Sequence, residues 1–240
     1  MTHCMISAPQ PEAVEAGLDI FKAGGNVMDA AVAAAFVQTV VDPQMCGIAG
    51  FGSMQIFLPE KDIHSFIDFH GKAPKATKPD MWEHLIKREC DDGFGFVLKG
   101  QVNEFGYQSM TSPMTLQAFD TALQRHGTMS LDQVLQPAID YCMNGFAVRP
   151  RVLGFWLQPA QAGRIERVAV VNKLDAARKI YLSEDGALLN VGDILKNQDM
   201  GRLYQRIASE GIGIFYEGDI ADLIAADMEA NGGLLTRDDL

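Results

Sequence analysis

Five histidines are the side chains best suited to proton transfer or metal binding, and they lie far apart in the sequence. They are His3, His64, His70, His84 and His126. No two of them have the four-residue spacing at which a helix presents two ligands to one zinc ion. The members of a serine, histidine and aspartate triad are recognised by their geometry, so their order in a chain predicts none. The residue types and spacings therefore predict no metal site and identify no nucleophile.

His70 differs from the other histidines in its position. It ends a predicted strand and precedes Gly71-Lys72-Ala73-Pro74, where the chain leaves the sheet. Strand ends beside irregular loops are common positions for binding and catalytic residues. A structural role is nevertheless the more frequent one for such a histidine, so on the residues alone both interpretations stay open.

A glycine-rich segment contains Gly47, Gly50 and Gly52 and leads into a predicted strand. A dinucleotide site needs its glycines between a strand and a following helix, because the helix N-terminus binds the phosphates. Here the order of the elements is wrong for that function. The favoured interpretation is a tight turn with close backbone packing, and the alternative is a backbone that approaches a substrate.

The composition excludes several classes of protein. The 240 residues carry a net charge of −11, which argues against a nucleic-acid partner, since that needs clustered lysine and arginine. With 48% hydrophobic residues the chain can bury a large core. No apolar run reaches the roughly 20 residues of a membrane span. We therefore expect a globular protein that binds neither nucleic acid nor membrane.

The cysteines and the N-terminus bear on the compartment. Cys4, Cys46, Cys90 and Cys142 are far apart and have no metal-binding spacing, which favours free thiols in a reducing compartment. We interpret Cys46 and Cys142 as small buried residues. The first residues lack the basic and apolar regions of a secretory signal, so the predicted location is cytoplasmic.

Local patterns predict helices joined by short hairpins. A strand is expected at 5–8, a helix from Pro11 to Phe21, and a second helix from about Asp29 to Val41, with Asp29 as its N-cap or first-turn acid. A hairpin follows at 54–58 and 64–69. Further helices are expected near 111–126, 131–144, 152–161, 174–180, 199–210 and 218–230, with another hairpin turn at 183–187 between short strands at 180–182 and 188–190.

Several runs, in the order found here, together resemble the large-subunit part of the gamma-glutamyltransferase family. They are Glu15-Ala16-Gly17-Leu18-Asp19-Ile20, Gly24-Gly25-Asn26, Asp29-Ala30-Ala31-Val32-Ala33, Val40-Val41-Asp42-Pro43, Gly47-Ile48-Ala49-Gly50, Leu135-Gln136-Pro137-Ala138-Ile139, Gly145-Phe146-Ala147-Val148, Phe215-Tyr216-Glu217-Gly218 and Gly232-Gly233-Leu234-Leu235-Thr236-Arg237-Asp238-Asp239-Leu240. The resemblance spans nearly the whole chain and is weakest between residues 81 and 108.

This resemblance implies an α+β fold, the αββα sandwich of the N-terminal-nucleophile hydrolases, with residues 1–240 as one domain of the large-subunit portion. A self-cleaved precursor of this family exposes a threonine at the N-terminus of a small subunit, and that threonine is the nucleophile. The implied partner is thus the small subunit. The resemblance implies no catalytic residue in this chain, no metal and no cofactor.

The chain departs from the family pattern at His70. Relatives that act on glutathione carry an arginine there, which grips the α-carboxylate of the γ-glutamyl group. Histidine cannot form the bidentate fork of a guanidinium, whereas Lys72 offers a point charge nearby. His70 and Lys72 are the predicted substrate-binding residues.

Three functional hypotheses follow from the residues and the resemblance. The first is an amide hydrolase or acyltransferase that cleaves a small amide through an acyl-enzyme. The second is a true γ-glutamyl hydrolase or transpeptidase that acts on glutathione-like substrates. The third is a non-catalytic relative that serves as a binding or structural module.

Overall fold

A computed structural model of the protein describes residues 4–240; residues 1–3, including His3, lie outside the described part. The chain divides into two compact units. Unit 1 comprises the residues up to Lys72 together with Pro113–Phe146 and Lys196–Tyr216. Unit 2 comprises Ala73–Ser112, Ala147–Leu195 and Glu217–Leu240. One domain over residues 1–240 stays a prediction.

The described residues contain helices and short strands in a mixed order. The helices are α1 (Pro11–Lys22), α2 (Val27–Val41), α3 (Thr115–His126), α4 (Leu131–Asn144), α5 (Pro150–Trp156), α6 (Arg167–Lys173), α7 (Asp175–Tyr181), α8 (Gln198–Glu210), α9 (Gly213–Tyr216) and α10 (Asp219–Ala230). The strands are β1 (Ser53–Leu58), β2 (Ile63–Asp68), β3 (Ile86–Glu89), β4 (Phe96–Leu98), β5 (Phe146–Ala147) and β6 (Ile194–Leu195). This content confirms the predicted α+β class.

Helix α2 lies at the centre of unit 1. It is apolar around its whole circumference, as a helix enclosed by other elements must be. Its alanines let neighbouring backbones approach: a Cβ atom on Gly17 of α1 would lie 3.1 Å from the carbonyl oxygen of Ala30. The ring of Phe36 meets those of Phe119 and Tyr204 edge to face, at 5.0 and 5.9 Å between centroids. These contacts join α2 to α3 and α8 in one core.

Asp29 lies in the first turn of α2 and takes part in capping the N-terminus of the helix. Asn26 is the N-cap, and its Oδ1 accepts hydrogen bonds from the backbone N–H groups of Met28 and Asp29, at 2.8 and 3.1 Å. Asp29 in turn accepts from the N–H of Asn26 at 2.8 Å, which completes a capping box. Of the two predicted roles for Asp29, first-turn acid is confirmed and N-cap is wrong.

The predicted β1–β2 hairpin of unit 1 is confirmed. Its antiparallel register pairs Ser53 with Asp68 and Leu58 with Ile63. Asp62 closes the turn in the left-handed region, with φ 52°. The strand predicted at 5–8 is wrong, because those residues join no ladder within residues 4–240.

Unit 2 contains the region where the sequence resemblance is weakest. An antiparallel β3–β4 hairpin occupies part of residues 81–108. The predicted turn at 183–187 is present, since the N–H of Ser183 donates to the carbonyl of Ala187 at 2.8 Å. Its flanking strands are wrong: Tyr181 belongs to α7, and a single bridge joins Leu182 to Leu188. None of the helices within residues 4–240 has the length and apolar character needed to cross a bilayer.

Candidate functional site at the end of strand β2

The β1–β2 hairpin places His70 on the surface of unit 1. Beyond the paired strands, Gly52 and Phe69 exchange two backbone hydrogen bonds, at 3.0 and 3.3 Å. A Cβ atom on Gly52 would lie 3.1 Å from the ring of Phe69, so glycine leaves room for that ring. Phe69 is buried and His70 is exposed, as expected for successive residues of an extended chain.

Asp68 orients the His70 imidazole. Its Oδ1 accepts hydrogen bonds from the backbone N–H of His70 at 3.1 Å and from Nδ1 at 2.7 Å. These bonds, the side-chain bond foremost, lower the pKa of Asp68. Because the carboxylate requires a donor, Nδ1 carries a hydrogen, and Nε2 is left to interact with a ligand. The ring also lies beside Phe51, 5.8 Å between centroids.

Lys72, the second predicted binding residue, lies two positions beyond His70 and is exposed. Its ammonium group forms no hydrogen bond or ion pair with residues 4–240. The structure thus places both predicted residues at the end of β2 and shows no direct contact between them. His70 offers one oriented nitrogen, and Lys72 offers an unpaired point charge.

The glycine segment packs against the start of α3. The carbonyl of Gly50 accepts hydrogen bonds from the N–H groups of Met114 and Thr115, at 3.1 and 3.2 Å. A Cβ atom on Gly50 would lie 3.0 Å from the carbonyl oxygen of Gly47. The predicted tight turn with close backbone packing is confirmed, because the glycines bring this loop against the helix N-terminus.

In unit 2, Asp239 forms hydrogen bonds with Thr236 and with Lys75, which follows the predicted site in sequence. Asp239 accepts from the backbone N–H of Lys75 at 2.8 Å and from Thr236 Oγ1 at 2.6 Å. Burial raises the pKa of Asp239, but these hydrogen bonds outweigh it and the pKa is lowered. Thr236 caps a short 3-10 helix at Arg237–Asp239. The hydrogen bond between Lys75 and Asp239 joins residues 164 positions apart, so no local sequence pattern predicts it.

Two adjacent acids of unit 2 are also partnered. Asp91 pairs with Arg88, and Asp92 accepts from Arg164 Nη1 at 2.6 Å. The hydrogen bond from Arg164 is the main reason that the pKa of Asp92 is lowered. These ion pairs are exposed and stabilise the loop only slightly.

The four cysteines are unpaired. Cys142 is buried as predicted, and burial raises its pKa to about 12. Cys46 is only half-buried, so the prediction that it is a buried residue is wrong. Cys46 is one of the residues that line a cavity in unit 1. Across residues 4–240, no three His, Cys, Asp or Glu side chains are grouped so as to hold a metal ion.

Comparison with known proteins places the chain in a family. The model of the gamma-glutamyltranspeptidase family matches residues 13–240. The chain is 31% identical over 242 residues to the glutathione hydrolase proenzyme of Escherichia coli, a match that covers 98% of this chain and 38% of that protein. It is 34% identical over 239 residues to the Acylase ACY 1 proenzyme of Pseudomonas sp. strain SE83, covering 98% and 40%. It therefore spans about two fifths of the length of these relatives.

Solved structures agree with the sequence matches. Helicobacter pylori gamma-glutamyltranspeptidase superposes with a TM-score of 0.83 at 27% identity, covering 100% of this chain and 64% of that one. Cephalosporin acylase from Bacillus halodurans gives 0.78 at 27% identity, covering 96% and 40%. The predicted N-terminal-nucleophile hydrolase fold is confirmed. The chain belongs to the gamma-glutamyltranspeptidase family and matches its large-subunit part.

Proposed function

We propose that this chain is the large-subunit portion of a self-processed amide hydrolase or acyltransferase that acts on a small amide. The family match over residues 13–240 is the observation that carries the proposal. The nucleophile is the hydroxyl of a threonine at the N-terminus of a small subunit, and its α-amine is the base. The hydroxyl attacks the amide carbonyl, the amine leaves with a proton, and water or another amine takes the acyl group from the enzyme.

In this proposal the chain contributes substrate recognition through His70 and Lys72. Asp68 holds Nδ1 of His70, so Nε2 is the ring nitrogen available to a polar group of the substrate. One nitrogen cannot form the two parallel hydrogen bonds that a guanidinium makes with a carboxylate. We therefore expect acyl groups without an α-carboxylate to be favoured.

The mass of the mature protein that contains this chain tests the proposal. Self-processing predicts two polypeptides, the smaller beginning with threonine. A single uncleaved polypeptide would contradict the enzyme proposal and favour the third hypothesis, a non-catalytic binding module. An inactivating change of the newly exposed threonine is the matched control, because it must abolish hydrolysis without altering the large-subunit fold.

A second candidate function is γ-glutamyl hydrolysis or transfer. It is favoured by relatives named glutathione hydrolase proenzyme in Escherichia coli and Bacillus subtilis. Here Lys72 supplies the charge for the α-carboxylate in place of an arginine. Comparing kcat/KM for a γ-glutamyl anilide and a plain acyl anilide separates the two functions. A strong γ-glutamyl preference that disappears in Lys72→Ala supports the second.

The cytoplasmic location stays a prediction, and the unpaired state of all four cysteines supports it. Cell fractionation followed by detection of the protein tests it. Recovery in the secreted or periplasmic fraction would overturn it.

A further inference from the structure

A cavity of about 300 Å³ lies within unit 1, beside the glycine segment. Its walls include the rings of Phe51, Phe69 and Phe119, together with Gln38 and Cys46. Phe51 is 63% exposed and also contacts the His70 ring. This aromatic cavity is therefore next to the predicted substrate-binding histidine. Its volume and largely apolar walls are typical of sites for small organic groups.

Gln38 is one of the residues that line this cavity, and its side chain has an unsatisfied polar atom. The residue is only 9% exposed, and its Nε2 donates to Asp42 Oδ2 at 2.7 Å. Its Oε1 is buried and accepts no hydrogen bond from residues 4–240. A buried acceptor without a donor costs about 1 to 3 kcal/mol. A ligand that donates a hydrogen bond to Oε1 recovers that loss.

The surrounding charge limits the ligand. The carboxylate of Asp42 is 1% exposed and accepts hydrogen bonds from Gln38 and Gln44. Burial first, and then the charge of Asp42, raise the pKa of the Cys46 thiol. An anionic group is disfavoured here for the same two reasons, whereas a neutral donor is accommodated.

We propose that the aromatic cavity is a subsite for a neutral aromatic or branched apolar group of the substrate that carries one hydrogen-bond donor, with Gln38 Oε1 as the acceptor. This inference rests on the proposed function, since it assigns the apolar part of the amide substrate bound at His70. Phe51 connects the aromatic cavity to His70, because it lines the cavity and contacts the His70 ring.

Cys46 provides a reporter of occupancy. In the intact protein carrying Cys4→Ser, which removes the exposed thiol, alkylation of Cys46 by iodoacetamide is followed by peptide mass spectrometry. The probes are 4-hydroxy-N,N-dimethylphenylacetamide, whose one hydrogen-bond donor is the phenol, and N,N-dimethylphenylacetamide, which has none, at about 10 mM, a concentration suited to fragments of about thirteen heavy atoms. We expect the hydroxylated probe to slow alkylation about threefold and the donor-free probe to slow it less. Equal or absent protection by the two probes would overturn the proposal.

Two variants locate the binding. Gln38→Met removes the acceptor and is expected to abolish the advantage of the hydroxylated probe. Because it also removes a donor to Asp42, Phe51→Ala serves as a second variant at an exposed position and is expected to reduce protection by both probes. Protection that persists unchanged in Phe51→Ala would contradict the proposal. Alkylation of Cys46 needs no turnover, so it tests the subsite independently of self-processing. A failure of the subsite proposal is therefore distinguishable from a failure of the proposed function.

Discussion

Two aspartates of unit 1 accept several hydrogen bonds each and yet serve different purposes. Asp29 is buried and accepts from the backbone of Asn26 at 2.8 Å, from Thr128 N–H and Oγ1 at 2.9 and 2.6 Å, and from Met129 N–H at 3.2 Å. Asp68 is exposed, and both of its hydrogen bonds come from His70. Asp29 joins segments about 100 positions apart, whereas Asp68 orients one neighbouring ring.

The difference between them shows how burial decides what a carboxylate contributes. Asp29 is fully buried, so its carboxylate has no water to replace a lost donor, and its hydrogen bonds stabilise the fold. Around Asp68 water can satisfy the same groups, and its effect is on the direction of the His70 ring. Changes at Asp29 should therefore alter stability, and changes at Asp68 should alter function.

The largest expected effect is that of Asp29→Asn on stability. The amide has one acceptor oxygen, and its NH2 group faces backbone donors, so we expect the free energy of unfolding to fall by about 3 kcal/mol. Urea denaturation followed by circular dichroism measures it. Asp19→Asn is the control, since Asp19 forms only an exposed pair with Lys22 and should leave the midpoint nearly unchanged. Equal losses in the two variants would contradict the role of Asp29.

The pH dependence of stability should depend on the same residue. Burial raises the pKa of Asp29, but the hydrogen bonds from Thr128, Asn26 and Met129 outweigh it, so the folded pKa lies below the ordinary value. The stabilisation is therefore fully present above the unfolded pKa of about 3.9 and is lost as the pH falls through the folded value. We expect the stability difference between wild type and Asp29→Asn to shrink as the pH falls below about 5. A difference independent of pH would show that the charge is not involved.

A smaller effect is expected from Thr128→Val. This change removes the hydroxyl that donates to Asp29 Oδ2 at 2.6 Å and leaves the backbone donors in place. We expect a loss of about 1 kcal/mol in the free energy of unfolding. Thr121→Val is the matched control, because the Thr121 hydroxyl donates only to the carbonyl of Gln117 in its own helix. A loss of unfolding free energy no larger than that of Thr121→Val would contradict a stabilising role for the Thr128 hydroxyl.

The smallest effect on stability is expected for Asp68→Asn, although its effect on catalysis should be clear. The exposed site should leave the denaturation midpoint unchanged. The His70 ring loses its charged partner and is less firmly oriented, so KM should rise. Steady-state kinetics measure the change. A lower denaturation midpoint with unaltered kinetics would assign Asp68 a structural role only.

Local sequence patterns predicted the elements whose signals are short-range. Helix α2 follows from its alanines and the Asp42-Pro43 stop, and the β1–β2 hairpin follows from a turn between two apolar runs. The same patterns failed at Tyr181, where a short helix and a strand share one apolar run. Helix or strand cannot be distinguished in such short segments without their packing partners.

The candidate site was predictable only in part. His70 and Lys72 were predicted from the resemblance, because this chain has a histidine where the family pattern has an arginine, and their role in binding stays a prediction. The contacts of Asp29 with Thr128 were not predictable, since they join residues 99 positions apart. Gly127 is part of the reason that they form: a Cβ atom on it would lie 2.7 Å from Asp29 Oδ1. The aromatic cavity likewise depends on side chains brought together by the folded chain.

The most direct test of the account is His70→Arg, assayed with a γ-glutamyl anilide and a plain acyl anilide. If His70 is what disfavours an α-carboxylate, the guanidinium should restore a bidentate grip on it. We expect a rise of about tenfold or more in kcat/KM for the γ-glutamyl substrate, with little gain for the acyl substrate. Unchanged selectivity between the two substrates in His70→Arg would contradict it.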